Sequence, residues 1–164
     1  MHIPILTAIF LIFNFSSYAQ CLKGNCQNGP GEKRYPDGSQ FNGYFQNGAK
    51  KAGSYTYPNG DVYNGGFVKN QRAGLAIYTY LNGDVFEGEY LNDQKYHGQI
   101  LYKNGTSYTG FLESNLPEGF GSFTNAEGKT WEGNWHKGKR VWGASNLEQK
   151  DTIHLDSINL NALK

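Results

Sequence analysis

The sequence predicts an all-β fold: an elongated, single-layer antiparallel β-meander built from hairpins, with a short C-terminal capping segment. Three observations predict it. First, turn dipeptides recur in phase: Asp37-Gly38, Asn59-Gly60, Asn82-Gly83, Asn104-Gly105 and Glu127-Gly128. Asn-Gly and Asp-Gly between strand-like runs are strong hairpin signals, and they predict type I′ turns with positive φ at both central residues. Second, an aromatic-x-Gly motif restarts at Phe41, Tyr63, Phe86, Tyr108 and Trp131, at intervals of 22, 23, 22 and 23 residues. Third, the 164 residues include 22 Gly and 25 aromatics but one Met. That composition suits short strands and tight turns rather than packed helices. The buried area must come mainly from rings.

Each unit opens with a strand-like run that carries two aromatics around a glycine. In a strand, alternate residues share a face. Tyr63, Gly65 and Phe67 therefore point the same way, as do Phe86, Gly88 and Tyr90. Gly43, Gly110 and Gly133 hold the same place after Phe41, Tyr108 and Trp131, and Trp135 follows Gly133. The glycine leaves a slot in which a ring from the neighbouring strand, such as Tyr78 or Tyr80, is expected to lie. The opposite face carries Glu87, Glu89, Thr109, Glu132 and Asn134 and is expected to be polar and wet. A second run follows in each unit, such as Ser54-Tyr55-Thr56-Tyr57 and Ile77-Tyr78-Thr79-Tyr80. Single hairpins are marginal, and stacking units bury the shared aromatic face.

The organisation along the chain follows. Residues 1–19 read as a secretory signal peptide: Ile3 to Phe15 is nearly continuous apolar sequence, and Ser17-Tyr18-Ala19 offers a small-x-small end before Gln20. The alternative, an uncleaved anchor, has an apolar run short of the roughly 20 residues a span needs. Lipidation at Cys21 is disfavoured because Gln20 is not small. Residues 20–40 form a partial repeat. Cys21 and Cys26 lie five apart, and an exported chain meets oxidising conditions, so a local disulfide is expected, with two free thiols as the alternative. Residues 41–143 hold the repeats. Residues 144–164 read as a cap or tail that covers the last repeat, with short helix and strand both open.

The repeat resembles the MORN (membrane occupation and recognition nexus) family. The resemblance rests on the aromatic-x-Gly-x-aromatic strand, the Gly-x-Gly step and the Gly-closed turn, best kept from Tyr108 to Thr130 with Gly119-Phe120-Gly121. It implies an elongated, twisted single-layer sheet. It constrains function less than fold.

No catalytic constellation stands out. His97, His136 and His154 lie in different repeats or the tail and share no metal-ligand spacing; no metal site or cofactor is implied. The glycines are turn glycines, not a phosphate cradle. An enzyme would require a site around Glu87, Glu89 and His97. Eight of 15 basic residues, Lys50, Lys51, Lys69, Arg72, Lys95, Lys137, Lys139 and Arg140, fall between the first and second runs of their units. They predict a basic loop edge that contacts anionic headgroups, an acidic glycan or an acidic protein, or that only protects the ribbon edge from aggregation. With 15 basic against 14 acidic residues, nucleic acid is not an expected partner. The expected function is that of a non-enzymatic exported scaffold or interaction module. Its partner would be a protein or an envelope surface, with peripheral binding to anionic membrane as the alternative.

Overall fold

The turns dictate the architecture. The computed structural model describes residues 18–141, in which every regular element is a strand. The predicted leader's apolar run and the predicted cap lie outside the described residues. The strands are β1 (Gln20–Gly24), β2 (Gly29–Arg34), β3 (Gln40–Gln46), β4 (Ala49–Thr56), β5 (Val62–Val68), β6 (Gln71–Thr79), β7 (Val85–Leu91), β8 (Gln94–Leu101), β9 (Ser107–Glu113), β10 (Leu116–Thr124), β11 (Thr130–His136) and β12 (Lys139–Arg140). They form one antiparallel sheet in strictly sequential order, as a meander requires. The Cys21–Cys26 disulfide ties β1 to the turn that follows it.

Two kinds of turn alternate, and their assignment differs from expectation. At the Gly-closed turns the amide of Gly38 donates to Tyr35 O (3.0 Å) and that of Tyr35 to Ser39 O (2.9 Å), and the same pair recurs after Tyr57, Tyr80, Tyr102 and Asn125. Only the glycine has positive φ, for example 91° at Gly60; Asn59 and Asn82 do not. These are three-residue loops with a bulge at the glycine, not the predicted type I′ turns. The type I′ turns lie at the opposite ends of the strands. Asn47-Gly48, Lys69-Asn70, Asn92-Asp93, Ser114-Asn115 and Lys137-Gly138 all have both residues at positive φ. Each connects two strands through two residues only, closed by pairs such as Val68 and Gln71.

Small residues line up across the whole sheet. Gly31, Gly43, Gly53, Gly65, Ala76, Gly88, Gly98, Gly110, Gly121 and Gly133 are successive cross-strand partners. The ring that fills each slot is not the neighbour's, as expected, but the strand's own, two residues earlier. A Cβ on Gly65 would meet the Tyr63 ring at 2.7 Å, and one on Gly88 the Phe86 ring at 2.8 Å. Gly133 is the exception, where the Arg140 guanidinium lies instead. Folded flat onto backbone, Phe41, Tyr63, Phe86 and Tyr108 are at most 1% exposed. Each is then met edge-on by the ring four residues later or by that of the next unit. Phe41–Phe45, Phe41–Phe67, Tyr63–Phe67, Tyr63–Tyr90 and Phe86–Tyr90 have centroids 5.0–5.5 Å apart and interplanar angles of 69–89°. Such pairs each contribute ~1 kcal/mol beyond their buried area.

At Gly88 a valine would collide with the His97 carbonyl, Gly98 Cα and the Phe86 ring. Gly88→Val is expected to cost about 3 kcal/mol or more through overpacking. Thermal melting followed by circular dichroism checks this, and an unchanged Tm would count against the small-residue row. Tyr90 tests the ring ladder in the other direction. Its buried hydroxyl has no hydrogen-bond partner among the described residues. Tyr90→Phe should leave Tm unchanged or raise it by the equivalent of about 1 kcal/mol, because the change removes an unsatisfied group and keeps the ring.

Candidate functional site

The sheet offers two faces, and charge is sorted between them. The ring face is lidded by cations. Lys50 Nζ lies 4.3 Å from the Tyr55 ring centroid and 5.0 Å from that of Phe67. Arg72 lies 4.8 Å from Tyr90 and 5.9 Å from Tyr63. Lys95 lies 4.5 Å from Tyr80 and 5.2 Å from Phe86. Each occupies the second position of its second strand, directly after a two-residue turn. The alternation of the strand therefore aims it back over the rings.

This arrangement corrects the predicted basic edge. Lys50, Lys51, Arg72, Lys95, Lys139 and Arg140 belong to strands, and only Lys69 and Lys137 lie in turns. Lys95 is 5% exposed and donates to the Tyr80 hydroxyl. Arg72 donates to Asp93 Oδ1 at 2.7 Å and to the Asp93 carbonyl. The stripe is a set of inward-facing ring clamps plus a few scattered surface charges.

The carboxylates of the turns are likewise structural. Asp61 accepts from the Tyr78 hydroxyl (2.7 Å), the Leu81 amide (2.9 Å) and the Asn59 side chain (2.9 Å). Burial alone would raise its pKa, and these donors outweigh that and hold it below the usual range. Asp84 accepts from the Lys103 amide of the next turn. Glu118 bonds His136 Nδ1 and the Lys137 amide, both at 2.9 Å, and clasps the last two units.

The predicted core aromatics separate by position. Tyr63, Phe67, Phe86, Tyr90 and Tyr108 are buried, whereas Trp131 and Trp135 are half-buried at the end of the ladder. With Phe123 and Arg140, those two tryptophans line an open groove of about 270 Å³. Interior rings are covered by the next unit. Of Glu87, Glu89 and His97, the set an enzyme would require, Glu89 and His97 are cross-strand partners on the opposite face, whereas Glu87 pairs with Gln99; Phe111 follows His97 in the row, with the two rings 4.7 Å apart. That face is less polar than expected. Tyr44, Leu75, Ile77, Leu101, Phe111 and Phe120 project from it, Leu75 at 83% and Phe120 at 60% exposure. Alternation places Tyr44, Ile77, Leu101 and Phe111 on this face, but it does not reveal Leu75 and Phe120, because bulges shift the strand phase there. The extra residue in the units from Tyr63 and Tyr108 is the available signal.

An open meander of near-identical hairpins, held by a small-residue row and a ring ladder, defines a β-hairpin repeat protein. Comparison with family models places it further. The MORN repeat model matches residues 24–40, 52–62, 63–85, 108–130 and 131–141, together more than half of the chain. The chain belongs to the MORN repeat family, whose repeats serve interaction or membrane binding and are generally non-enzymatic. The unit from Phe86 falls between matched stretches, yet its hairpin pairs like the others. No curated protein matches the chain. Among solved structures, it is similar to the SAS-4 (dCPAP) TCP domain of Drosophila melanogaster, solved in complex with a proline-rich motif of Ana2 (dSTIL). The two are 14% identical, with 82% of this chain and 85% of that chain covered and a TM-score of 0.37.

Burial among rings, with the Arg72 charge adding to it, pushes Lys95 down to about 8. Burial pushes Tyr63 and Tyr108 up to about 12. The signs oppose each other. From pH 8 to the unfolded lysine value of about 10.4, the unfolded chain holds the Lys95 proton and the folded chain has lost it, so stability rises with pH. Above pH ~10 the unfolded tyrosines ionise first, so stability falls. Thermal stability should therefore peak between pH 8 and 11, and Lys95→Met should flatten the rising limb. A pH series of melting curves for both proteins checks this.

Proposed function

We propose that this chain is an exported, non-enzymatic interaction module that binds a protein partner at an envelope or secreted location. One observation supports the protein-binding reading most. The groups that could do chemistry on the ring face are consumed in building the fold, while the opposite face exposes apolar side chains without a structural task. Lys50, Arg72 and Lys95 sit on rings, and Asp61, Asp84 and Glu118 hold turns and neighbouring units. Exposed apolar side chains clustered on one face mark interaction surfaces rather than active sites. The apolar leader and the small-x-small end before Gln20 support export.

Anionic membrane is the competing ligand. Three of the eight basic residues that would reach headgroups are instead held over rings, and Arg140 donates to the Glu132 carbonyl, which leaves Lys51, Lys69, Lys137 and Lys139 spread along the strand ends. At ~1 kcal/mol per surface cation, so few charges give weak attachment at physiological salt.

Co-sedimentation with vesicles of phosphatidylcholine alone and with added phosphatidylglycerol separates the two. The protein-binding reading expects no enrichment on the anionic vesicles. Attachment that grows with anionic lipid and is lost in high salt would replace it with the membrane reading. Fractionation of the native host, with mass spectrometry of the amino terminus, is expected to find a chain beginning at Gln20 outside the cytoplasm. A retained Met1 would refute cleavage.

A further inference from the structure

The face opposite the rings carries an organised pattern rather than scattered exposure. In the units from Tyr63 and Tyr108 the second strand holds two unmatched residues, between Ala73 and Ala76 and between Glu118 and Gly121. The first of each pair, Gly74 or Gly119, has φ near +70°, a conformation that glycine adopts without strain. The second, Leu75 or Phe120, is thrown outward. The two lie at the same position of their units, on β6 and β10. Across four strand spacings of ~4.8 Å they are roughly 19 Å apart. Leu75 and Ile77 are paired across the strand with Glu89 and Glu87. Both glutamates lack a hydrogen-bond or ion-pair partner among the described residues. From β5 to β10, the charged side chains on this face, Glu87, Glu89, Glu113 and Glu118, are all acidic, because the cations of these strands turn to the rings. Glu118 is already occupied by His136.

We propose that this face is the docking surface for a basic, amphipathic polypeptide segment. Its two cationic side chains, roughly 7 Å apart as the pleat spaces Glu87 and Glu89, meet those two carboxylates. Its apolar side chains cover Leu75, Ile77, Phe111 and Phe120. Charge complementarity selects this occupant over an acidic or neutral one, and an acidic face repels anionic headgroups. The inference rests on the protein-binding reading above and names the surface and partner chemistry for it.

The test uses the mature chain and a fluorescein-labelled synthetic peptide that alternates Lys and Leu, with an alternating Glu and Leu peptide as comparison. Fluorescence anisotropy should show binding of the Lys peptide that weakens about tenfold or more from roughly 0.05 to 0.5 M salt. The double variants Glu87→Gln/Glu89→Gln and Leu75→Ser/Phe120→Ser should each weaken it about tenfold. Lys69→Gln, at a turn, should leave it unchanged. Leu75 and Phe120 make no core contact, so unchanged melting curves certify the folded state of that variant. Equal binding of the Glu peptide, or indifference to both double variants, overturns the proposal. So does a dimer, detected by sedimentation, that Leu75→Ser/Phe120→Ser converts to monomer, because a second copy would then own the face. In any of these cases, envelope partners that crosslink elsewhere on the array leave the protein-binding reading standing. A chain that crosslinks to none sinks that reading separately.

Discussion

Everything in this sheet depends on backbone coming close enough to backbone for a ring to lie flat across it. The row of glycines from β2 to β11, interrupted only by Ala76, makes that contact continuous. A Cβ at Gly88 or Gly98 would enter the neighbouring backbone. With the row in place, Phe41, Tyr63, Phe86 and Tyr108 are buried by a single layer of sheet, a situation that ordinarily needs a second layer. The next unit supplies the covering ring, so each repeat completes the core of the one before it.

The cations extend the same logic. A two-residue turn sets the strand phase so that Lys50, Arg72 and Lys95 return over the ring layer, where their charge meets ring faces and their stems cover apolar surface. The fourth unit departs from this, with buried Pro117 at the corresponding place. Sequestering positive charge on one side leaves the other side with uncompensated carboxylates beside exposed Leu75 and Ile77. One packing solution thereby creates both the hydrophobic core and the chemical character of the outer surface.

How far the sequence was legible differs between these layers. The strand order, the repeat boundaries and the buried rings Tyr63, Phe67, Phe86, Tyr90 and Tyr108 follow from turn dipeptides and alternation. The turn types do not. Lys69-Asn70 and Asn92-Asp93 carry no glycine, yet they adopt the two-residue geometry, held by contacts from Asn70 to the Lys50 amide and from Asp93 to Arg72. The inward aim of the basic residues is hidden from the sequence for the same reason. A loop assumed to be long makes Lys50, Arg72 and Lys95 surface groups, whereas a two-residue loop makes them strand residues that face inward.

The sequence by itself determined an open antiparallel meander with rings on one face, because period-two alternation and in-phase glycines are local properties of the chain. Tertiary structure alone decided which ring fills each slot, which cations leave solvent, and that Leu75 and Phe120 point outward. Those outcomes depend on register between strands and on bulges, and both are set when neighbouring units pair rather than by any one segment's residues.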